Sequence, residues 1–569
     1  MSSQSPSLPD ADLDQQEAAG SADGLDAATE PPRDNGSRFS IKSSFWQNRL
    51  FEAGLILSMT LYYVIGNANL GNTFLFHINP LFSLPFLILF AVLCWYRLPF
   101  AVALLPLTLP YYAQPKTVIS HYSFSIAEIT LAVCLLIAVL QLLWQRSRWP
   151  YWLSWRELRD RLGPFIVPTL VFVVVAAFSI VIAYEKAFAL RAFHREVLAP
   201  LLYVVLALYC LRSRQDVLRL LGALLATGLM VALLGLIQYV FFKSTLPIES
   251  DGIRRVHAMY GSANSIGLLF DYILPIGLAW LVAKNSYKLH DWAAWKQRGV
   301  ALVLCVLMLS AQYLTHSLGA WLGTAMAILF IAVLSIRSRK MLLLGIALFA
   351  GSMVVALIFF HTRIYNLIFE NHLDVRNIST TTKRLYLWQT AWNMIRDNPW
   401  FGYGLDNWLC HFSLNNVCVT PHLYHYTINE DPVTHALTGL GYEPDLSHPH
   451  NIFLQIWISV GIFGLLAFAA ILVLFFWLFA RILMHLRANE TPKNVHLQCM
   501  TVGVGAAMLA AMAQGMGDSA FLEQDLAFCF WMLVVTLLVL RVLSGTPWRG
   551  RVRVLEDGTH RQIKRWMKM

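Results

Sequence analysis

The stretch 445-DLSHPHNIFLQIWISVGIFGLLAF-468 joins a polar start with two histidines to an apolar run long enough to cross a bilayer. Pro449 suits the first position of a helix, because its missing N–H needs no partner there. This assignment puts His450 and Asn451 in the first turn, where unpaired N–H groups and the helix dipole disfavour a charged imidazole. The stretch therefore predicts a neutral histidine base at one end of a membrane-spanning helix.

The composition of the whole chain is that of a membrane protein. Of 569 residues, 57% are hydrophobic and 13% are charged, and the mean hydropathy is +0.55. The formal charge of +10 does not indicate nucleic-acid binding, because the basic residues sit in short clusters between apolar runs. A polytopic protein in a lipid bilayer is the class that these values favour.

Apolar stretches of bilayer-spanning length predict an all-α, polytopic fold of about 12–14 transmembrane helices with one large, partly helical extracytoplasmic loop. Their centres lie near residues 60, 88, 105, 134, 173, 203, 229, 274, 307, 328, 350, 462, 507 and 534. The predicted divisions are a disordered cytoplasmic tail at 1–45, helices 1–11 at 46–360, the loop at 361–448, helices 12–14 at 449–545, and a basic tail at 546–569. The basic clusters place both termini in the cytoplasm.

The large loop contains a predicted helix and a pair of cysteines. Apolar residues at helical spacing run from Leu385 to Ile395, and Asp397-Asn398-Pro399 provides a stop. Cys410 and Cys418 lie in this polar region and either form a local disulfide or stay unpaired. The other six cysteines fall in apolar segments, where a thiol usually acts as a small buried hydrophobe.

Three groups of residues on the predicted extracytoplasmic side have chemistry in common. They are Arg254 and Arg255 with Asn264, then Arg384, then His448 and His450. Guanidinium groups bind phosphate oxygens bidentately, and a neutral imidazole removes a proton near pH 7. The alternatives are that the arginines anchor spans at the membrane surface and that the histidines are ordinary surface residues.

Other ionisable residues give weaker indications. Lys186, Arg191 and Arg195 attract anionic lipid or extend a phosphate-binding surface. The loop histidines His422, His425 and His435 match no established zinc spacing, so no metal site is predicted. Glu128 and Asp271 lie inside spans without an obvious partner, which argues against an ion-coupled transporter.

Three motifs resemble those of the O-antigen ligase and Wzy-type O-antigen polymerase superfamily. The first runs from Arg255 to Asn264, with Ala258 where glycine is common and Ala263 where proline is common. The second is Arg384, Trp388 and the turn NPWFGYGLDNW. The resemblance covers roughly residues 190–540.

The third motif is His450-Asn451 at the start of a span that continues with Gly461 and Gly464, two glycines that allow close packing. One departure is Leu318, which stands where many relatives have arginine.

The resemblance implies a GT-C-like, metal-independent and inverting glycosyltransferase without a cofactor. It would move a glycan from an undecaprenyl-diphosphate-linked donor to a glycan, lipid A-core or other hydroxyl at the periplasmic face of the bacterial inner membrane. Arg255 and Arg384 would hold the diphosphate, and His450 would be the base.

The remaining substrate contacts are assigned to seven residues: Arg254, Asn264, His448, Asn451, Arg191, Arg195 and Trp388. A flippase or other transporter of lipid-linked oligosaccharides and a protein O-oligosaccharyltransferase stay open as alternatives.

Overall fold

The computed structural model describes most of the predicted spans and part of the large loop. The described residues are 45–71, 73–119, 122–144, 155–246, 254–282, 292–336, 380–412, 418, 424, 429–430, 437–438, 448–489 and 491–548. The chain divides into two units, Met1–Leu50 and Phe51–Met569. The first is described only where a helix begins, and the site lies in the second.

Helices make up nearly all of the described structure. The α-helices are α1 (Phe45–Val64), α2 (Leu84–Leu104), α3 (Ile126–Trp144), α4 (Trp155–Leu162), α5 (Ile166–Ile182), α6 (Lys186–Ala192), α7 (Ala199–Cys210), α8 (Arg214–Phe241), α9 (Ala263–Val282), α10 (Trp292–Leu314), α11 (Leu318–Ser335), α12 (Thr380–Asp397), α13 (Trp408–Phe412), α14 (Ile452–Ala488), α15 (Pro492–Gly515) and α16 (Gln524–Ser544). Short 3-10 helices occupy Ala68–Leu70, Phe74–Phe76, Pro80–Ser83, Leu105–Ala113, Gly163–Phe165 and Lys243–Thr245, and Phe193–Leu198 is a π-helix.

The described residues contain four short strands, which form two antiparallel pairs. Strand β1 (Lys116–Ile119) pairs with β2 (Tyr122–Phe124), and β3 (Asn429–Glu430) pairs with β4 (Leu437–Thr438).

The prediction of an all-α polytopic membrane protein is confirmed. Eleven helical segments of the described chain are long and apolar enough to cross a bilayer. Helix α16 is the most enclosed of these segments, because 89% of the residues in its most apolar part are buried. The corresponding share is 72% for both α9 and α15. A helix that is apolar on all sides packs at the centre, whereas α5 and α14 leave residues such as Val174 and Val473 exposed to lipid.

The predicted spans near residues 88 and 105 form one helical segment, Pro80–Ala113. The backbone kinks at Arg97, just before Pro99, and a 3-10 turn follows from Leu105. Proline lacks the N–H that a continuous α-helix needs, which explains both irregularities. The predicted span near 350 and the acidic tail up to residue 44 lie outside the described residues.

The placement of His450 and Asn451 in the first helical turn is wrong. Helix α14 begins at Ile452, and Asn451 is its N-cap, with Oδ1 accepting from the N–H groups of Phe453 (3.0 Å) and Leu454 (3.1 Å). His450 precedes the cap with a left-handed φ of 50°. An asparagine cap satisfies two of the exposed donors, so the helix starts after it and not at the proline.

Gly461 interrupts α14 with φ +71°, and the turn of residues 398–404 fills the break. The N–H of Tyr403 donates to the carbonyl of Ile458 over 2.7 Å, and the N–H of Gly404 donates to that of Ser459 over 3.1 Å. Backbone groups released by a helix break within a membrane must find partners in the protein, and this turn supplies them. Gly461 therefore allows close packing, as predicted, but the element that packs against it is the turn of residues 398–404.

Gly461→Ala should destabilise the protein. A Cβ at this position would lie 2.1 Å from the carbonyl oxygen of Trp400, a backbone atom that cannot move aside freely. We expect a loss of about 2–4 kcal/mol, measured as a lower thermal midpoint of the purified protein in detergent. Gly222→Ala is the matched control, because nothing lies within 4 Å of its Cβ position. Equal midpoints for the two variants would contradict the role of the break.

Candidate functional site

A buried carboxylate, that of Asp518, holds the two histidines of the opening stretch. It lies in the hub loop, the residues 516–523 between α15 and α16. Nε2 of His448 and Nδ1 of His450 lie 3.1 Å and 2.9 Å from Asp518 Oδ1, and the N–H of Ser519 donates to the same oxygen over 2.9 Å. Asp518 is 4% exposed, so one shielded oxygen fixes both rings.

Electrostatics favour an ionised Asp518. Burial opposes ionisation, but the charge of His450 and the hydrogen bonds of both histidines outweigh it and hold the pKa of Asp518 well below its usual range. Burial and then the charge of His450 lower the pKa of His448, against the opposing effect of Asp518. An ionised carboxylate only accepts hydrogen bonds, so both histidines donate to it. When His450 is uncharged, this hydrogen bond places its proton on Nδ1 and its lone pair on Nε2, which is the tautomer of a base.

Arg384 and Trp388 of α12 lie beside this pair. Trp388 Nε1 donates to the backbone carbonyl of His450 over 3.3 Å. Arg384 Nη1 lies 3.3 Å from where a Cβ at Gly517 would be, so the absence of a side chain there lets the guanidinium reach the hub loop. The charge of Arg384 also contributes to the lowered pKa of His448, after the burial and the charge of His450. The structure brings these predicted site residues together, and their roles stay predictions.

Helix α9 connects the first arginine motif to the hub loop. The carbonyl of Asn264 accepts from Gln514 Nε2 over 3.3 Å, and the carbonyl of Gln514 accepts from the N–H of Gly517 over 2.9 Å. Farther along the helix, the hydroxyl of Tyr272 donates to the carbonyl of Ala520 over 2.5 Å. Hydrogen bonds therefore join the hub loop to α9 at two places.

Arg255, the first residue of the first motif, and Arg254, which precedes it, differ in their surroundings. Arg254 Nη1 donates to three carbonyls of its own loop, those of Lys243, Ser244 and Leu246. This gives Arg254 a structural role that the sequence did not predict. Arg255 is half-buried, and Ala258 adopts a left-handed φ of 48°, which explains why glycine is common at that position of the motif.

Arg191 and Arg195 form a second basic group, whose charges act on Asp406. Arg195 Nε lies 3.5 Å from Glu128 Oε1, and His194 Nδ1 lies 3.2 Å from the same oxygen. The prediction that Glu128 lacks a partner is wrong, because the π-helix presents two consecutive side chains to the first turn of α3.

The same prediction for Asp271 is also wrong. Its Oδ1 accepts from Thr324 Oγ1 over 3.0 Å and from Gln312 Nε2 over 3.5 Å, which ties α9 to α10 and α11. Leu318, at the position where many relatives have arginine, is 73% exposed at the start of α11. Its side chain therefore points to the outside of the protein.

The cysteine pair of the large loop is bonded. Cys410 and Cys418 form a disulfide and are not unpaired thiols. The other six cysteines are buried thiols, as predicted. His422, His425 and His435 lie outside the described residues.

Asp518 is the residue that sequence reasoning missed. Its signal is a single carboxylate in the short segment 515-GMGDSAF-521 between the last two spans, where apolar residues predominate. The segment contains no histidine, lysine or arginine that could be a local partner, and only the fold shows that histidines 70 and 68 residues away reach Asp518.

The fold and this site define a class: a polytopic helical membrane protein with an arginine–histidine–carboxylate site at the ends of its helices. Residues 303–469 match the family model described as O-Antigen ligase. The resemblance read from the motifs is thereby confirmed, and the matched segment contains the second and third motifs but not the first.

Two curated proteins are similar to part of the chain. An "O-antigen ligase" of Salmonella typhimurium is 30% identical over 207 residues, which is 36% of this chain and 42% of that protein. A "Putative polysaccharide ligase" of Rickettsia felis is 27% identical over 206 residues, 35% of this chain and 44% of that protein. The chain thus spans less than half the length of either relative.

Asn451→Ala should destabilise the start of α14 and its attachment to the hub loop. Besides capping α14, Asn451 donates from Nδ2 to the carbonyl of Met516 in the hub loop over 2.9 Å. Losing both functions should cost about 1–2 kcal/mol, read as a lower thermal midpoint.

Asn451→Asp is the matched variant, because it keeps the cap oxygen and loses only the bond to Met516. It should melt between the wild type and Asn451→Ala. An alanine variant as stable as the wild type would show that neither contact matters.

Proposed function

We propose that the chain is a membrane glycosyltransferase that moves a glycan from an undecaprenyl-diphosphate-linked donor to an acceptor hydroxyl. In this proposal it resides in the bacterial inner membrane with both termini cytoplasmic. The site faces the periplasm, and the transfer is inverting and independent of metal.

The observation that carries the proposal is the His450–Asp518 pair next to Arg384. A histidine whose Nδ1–H is fixed by a buried carboxylate presents Nε2 as a general base, and the carboxylate stabilises the imidazolium formed when it takes a proton. A guanidinium next to the same loop suits the phosphate oxygens of the donor.

The proposed step is a single displacement. Nε2 of His450 takes the proton of the acceptor hydroxyl while that oxygen forms a bond to the anomeric carbon. The bond from that carbon to the phosphate oxygen breaks on the opposite face, and lipid diphosphate leaves with the electron pair. Attack from the opposite face inverts the anomeric centre.

Arg384 and Arg255 are assigned to the leaving diphosphate. Fixed cations near developing negative charge stabilise the transition state more than the ground state. Arg384 has the stronger structural support, because its guanidinium lies beside the loop that carries Asp518. Arg255 belongs to the motif that α9 connects to the same loop.

The acceptor we propose is a hydroxyl of a lipid A-core or of a second surface glycan. The names of the two relatives, an O-antigen ligase and a polysaccharide ligase, support this choice over a protein hydroxyl. Polymerisation would use the same donor chemistry with another lipid-linked glycan as acceptor. A flippase would need cationic residues deep in several spans, whereas the described residues that support transfer lie at helix ends.

His450→Ala, Arg384→Ala and Arg255→Ala should each reduce transfer by about 100-fold or more, because they remove the base or a cation at the leaving group. The assay uses the full chain in liposomes with a defined undecaprenyl-diphosphate glycan and separate lipid A-core, glycan and protein acceptors. Product is quantified by mass spectrometry.

Arg396→Ala is the matched control, because Arg396 is an exposed arginine on the same helix as Arg384 and should leave the rate unchanged. Full transfer by all three site variants would contradict the mechanism. Movement of the donor across the membrane without product would favour the flippase.

A further inference from the structure

We propose that His448, His450 and Asp518 form an inhibitory binding site for a Zn²⁺ ion. Each residue offers one ligand atom, namely His448 Nε2, His450 Nδ1 and Asp518 Oδ1, and the three atoms lie within 4.8 Å of one another. Two imidazoles and one carboxylate are a common zinc ligand set, with a fourth position left for water.

Two of the three ligand separations are already close to those around a bound ion. Zinc bonds of about 2.0–2.2 Å place neighbouring ligands of a tetrahedron roughly 3.4 Å apart. The present nitrogen–oxygen separations are 3.1 Å for His448 and 2.9 Å for His450. Binding would replace the two hydrogen bonds by metal bonds around the same carboxylate oxygen, and the two histidine nitrogens, which lie within 4.8 Å of each other, would move closer together.

The surroundings also favour a cation. Asp518 Oδ2 and Ser519 Oγ are buried and meet no hydrogen-bond partner among the described residues. Burial and the carboxylates of Asp525, Asp518 and Glu196 raise the pKa of Glu523 well above its usual range. Several acids therefore share this end of the bundle, and the buried negative charge of Asp518 would attract a divalent ion.

Zinc at this position would be incompatible with base catalysis. A nitrogen that binds metal carries no proton, so zinc on Nδ1 of His450 leaves the ring proton on Nε2. Nε2 is the atom that the proposed transfer needs as an acceptor. The inhibition rests on the proposed function, whereas the binding does not.

The test is a titration of the full-length protein, stripped with EDTA and in detergent, with ZnCl₂ followed by calorimetry and metal analysis. We expect one zinc per chain at pH 7.5 and no comparable binding of Mg²⁺, which disfavours imidazole ligands. Asp518→Asn and His448→Gln should weaken zinc binding by about 100-fold or more. Melting curves establish that each variant is folded.

Three loop histidines provide the matched control, because His422, His425 and His435 could also attract zinc. The triple asparagine variant should bind zinc as the wild type does. Absence of zinc binding, equal binding by Asp518→Asn, or loss of binding in the triple variant would overturn the site. Co²⁺ loading of the wild type gives a readout that needs no variant, since tetrahedral coordination produces intense visible bands and solvated Co²⁺ does not.

Inhibition is measured separately in the transfer assay, where equimolar zinc should stop product formation and EDTA should restore it. Bound zinc with unchanged transfer would overturn the inhibitory role. A preparation that binds zinc at this site but never forms product would leave the metal site standing and contradict the proposed function instead.

Discussion

The shared carboxylate oxygen of Asp518 is the contact on which the rest of the site depends. It fixes two imidazoles that the chain brings in just before α14, and it does so from a loop that joins the two most C-terminal spans. Without an acceptor at this place, two half-buried histidines would face each other with ring centroids only 4.5 Å apart. Their mutual repulsion when protonated is relieved by a single buried negative charge.

Backbone strain accompanies this arrangement. Among the described residues, His450 and Ala258 are two of four non-glycine residues with positive φ, and both lie in the motifs of the proposed site. Left-handed backbone costs a residue with a side chain about 1–2 kcal/mol and persists where the surroundings enforce it. At His450, the surroundings are the cap of Asn451 on one side and the bond from Trp388 on the other. The break of α14 at Gly461 is similarly enforced by the turn that fills it.

The sequence predicted the architecture well because bilayer-spanning helices are long, apolar and separated by charged clusters. It also identified Arg384, Trp388, His448 and His450 as residues with a common purpose, and the structure brings them together. The prediction was wrong about where α14 begins, because two residues close together both favour a helix start. Proline at 449 is a good helix start, yet the asparagine two residues later caps the helix in its place.

Partners from distant parts of the chain were beyond sequence reasoning. Glu128 and Asp271 looked isolated because their partners come from the π-helix and from α10 and α11. Asp518 was overlooked for the same reason, since its two partners come from just before α14 and its own short loop shows no periodicity and no motif. Arg254 is the opposite case: it looked like a substrate contact from the sequence, but its side chain donates to carbonyls of its own loop.

The central claim is that Asp518 acts through His450, and a double-mutant cycle on the transfer rate tests it most directly. Asp518→Asn should slow transfer in the wild-type background and have almost no further effect once His450 is alanine, because the residue that it orients is gone. Additive losses in the double variant would contradict the account, since they would mean that the carboxylate and the imidazole act independently.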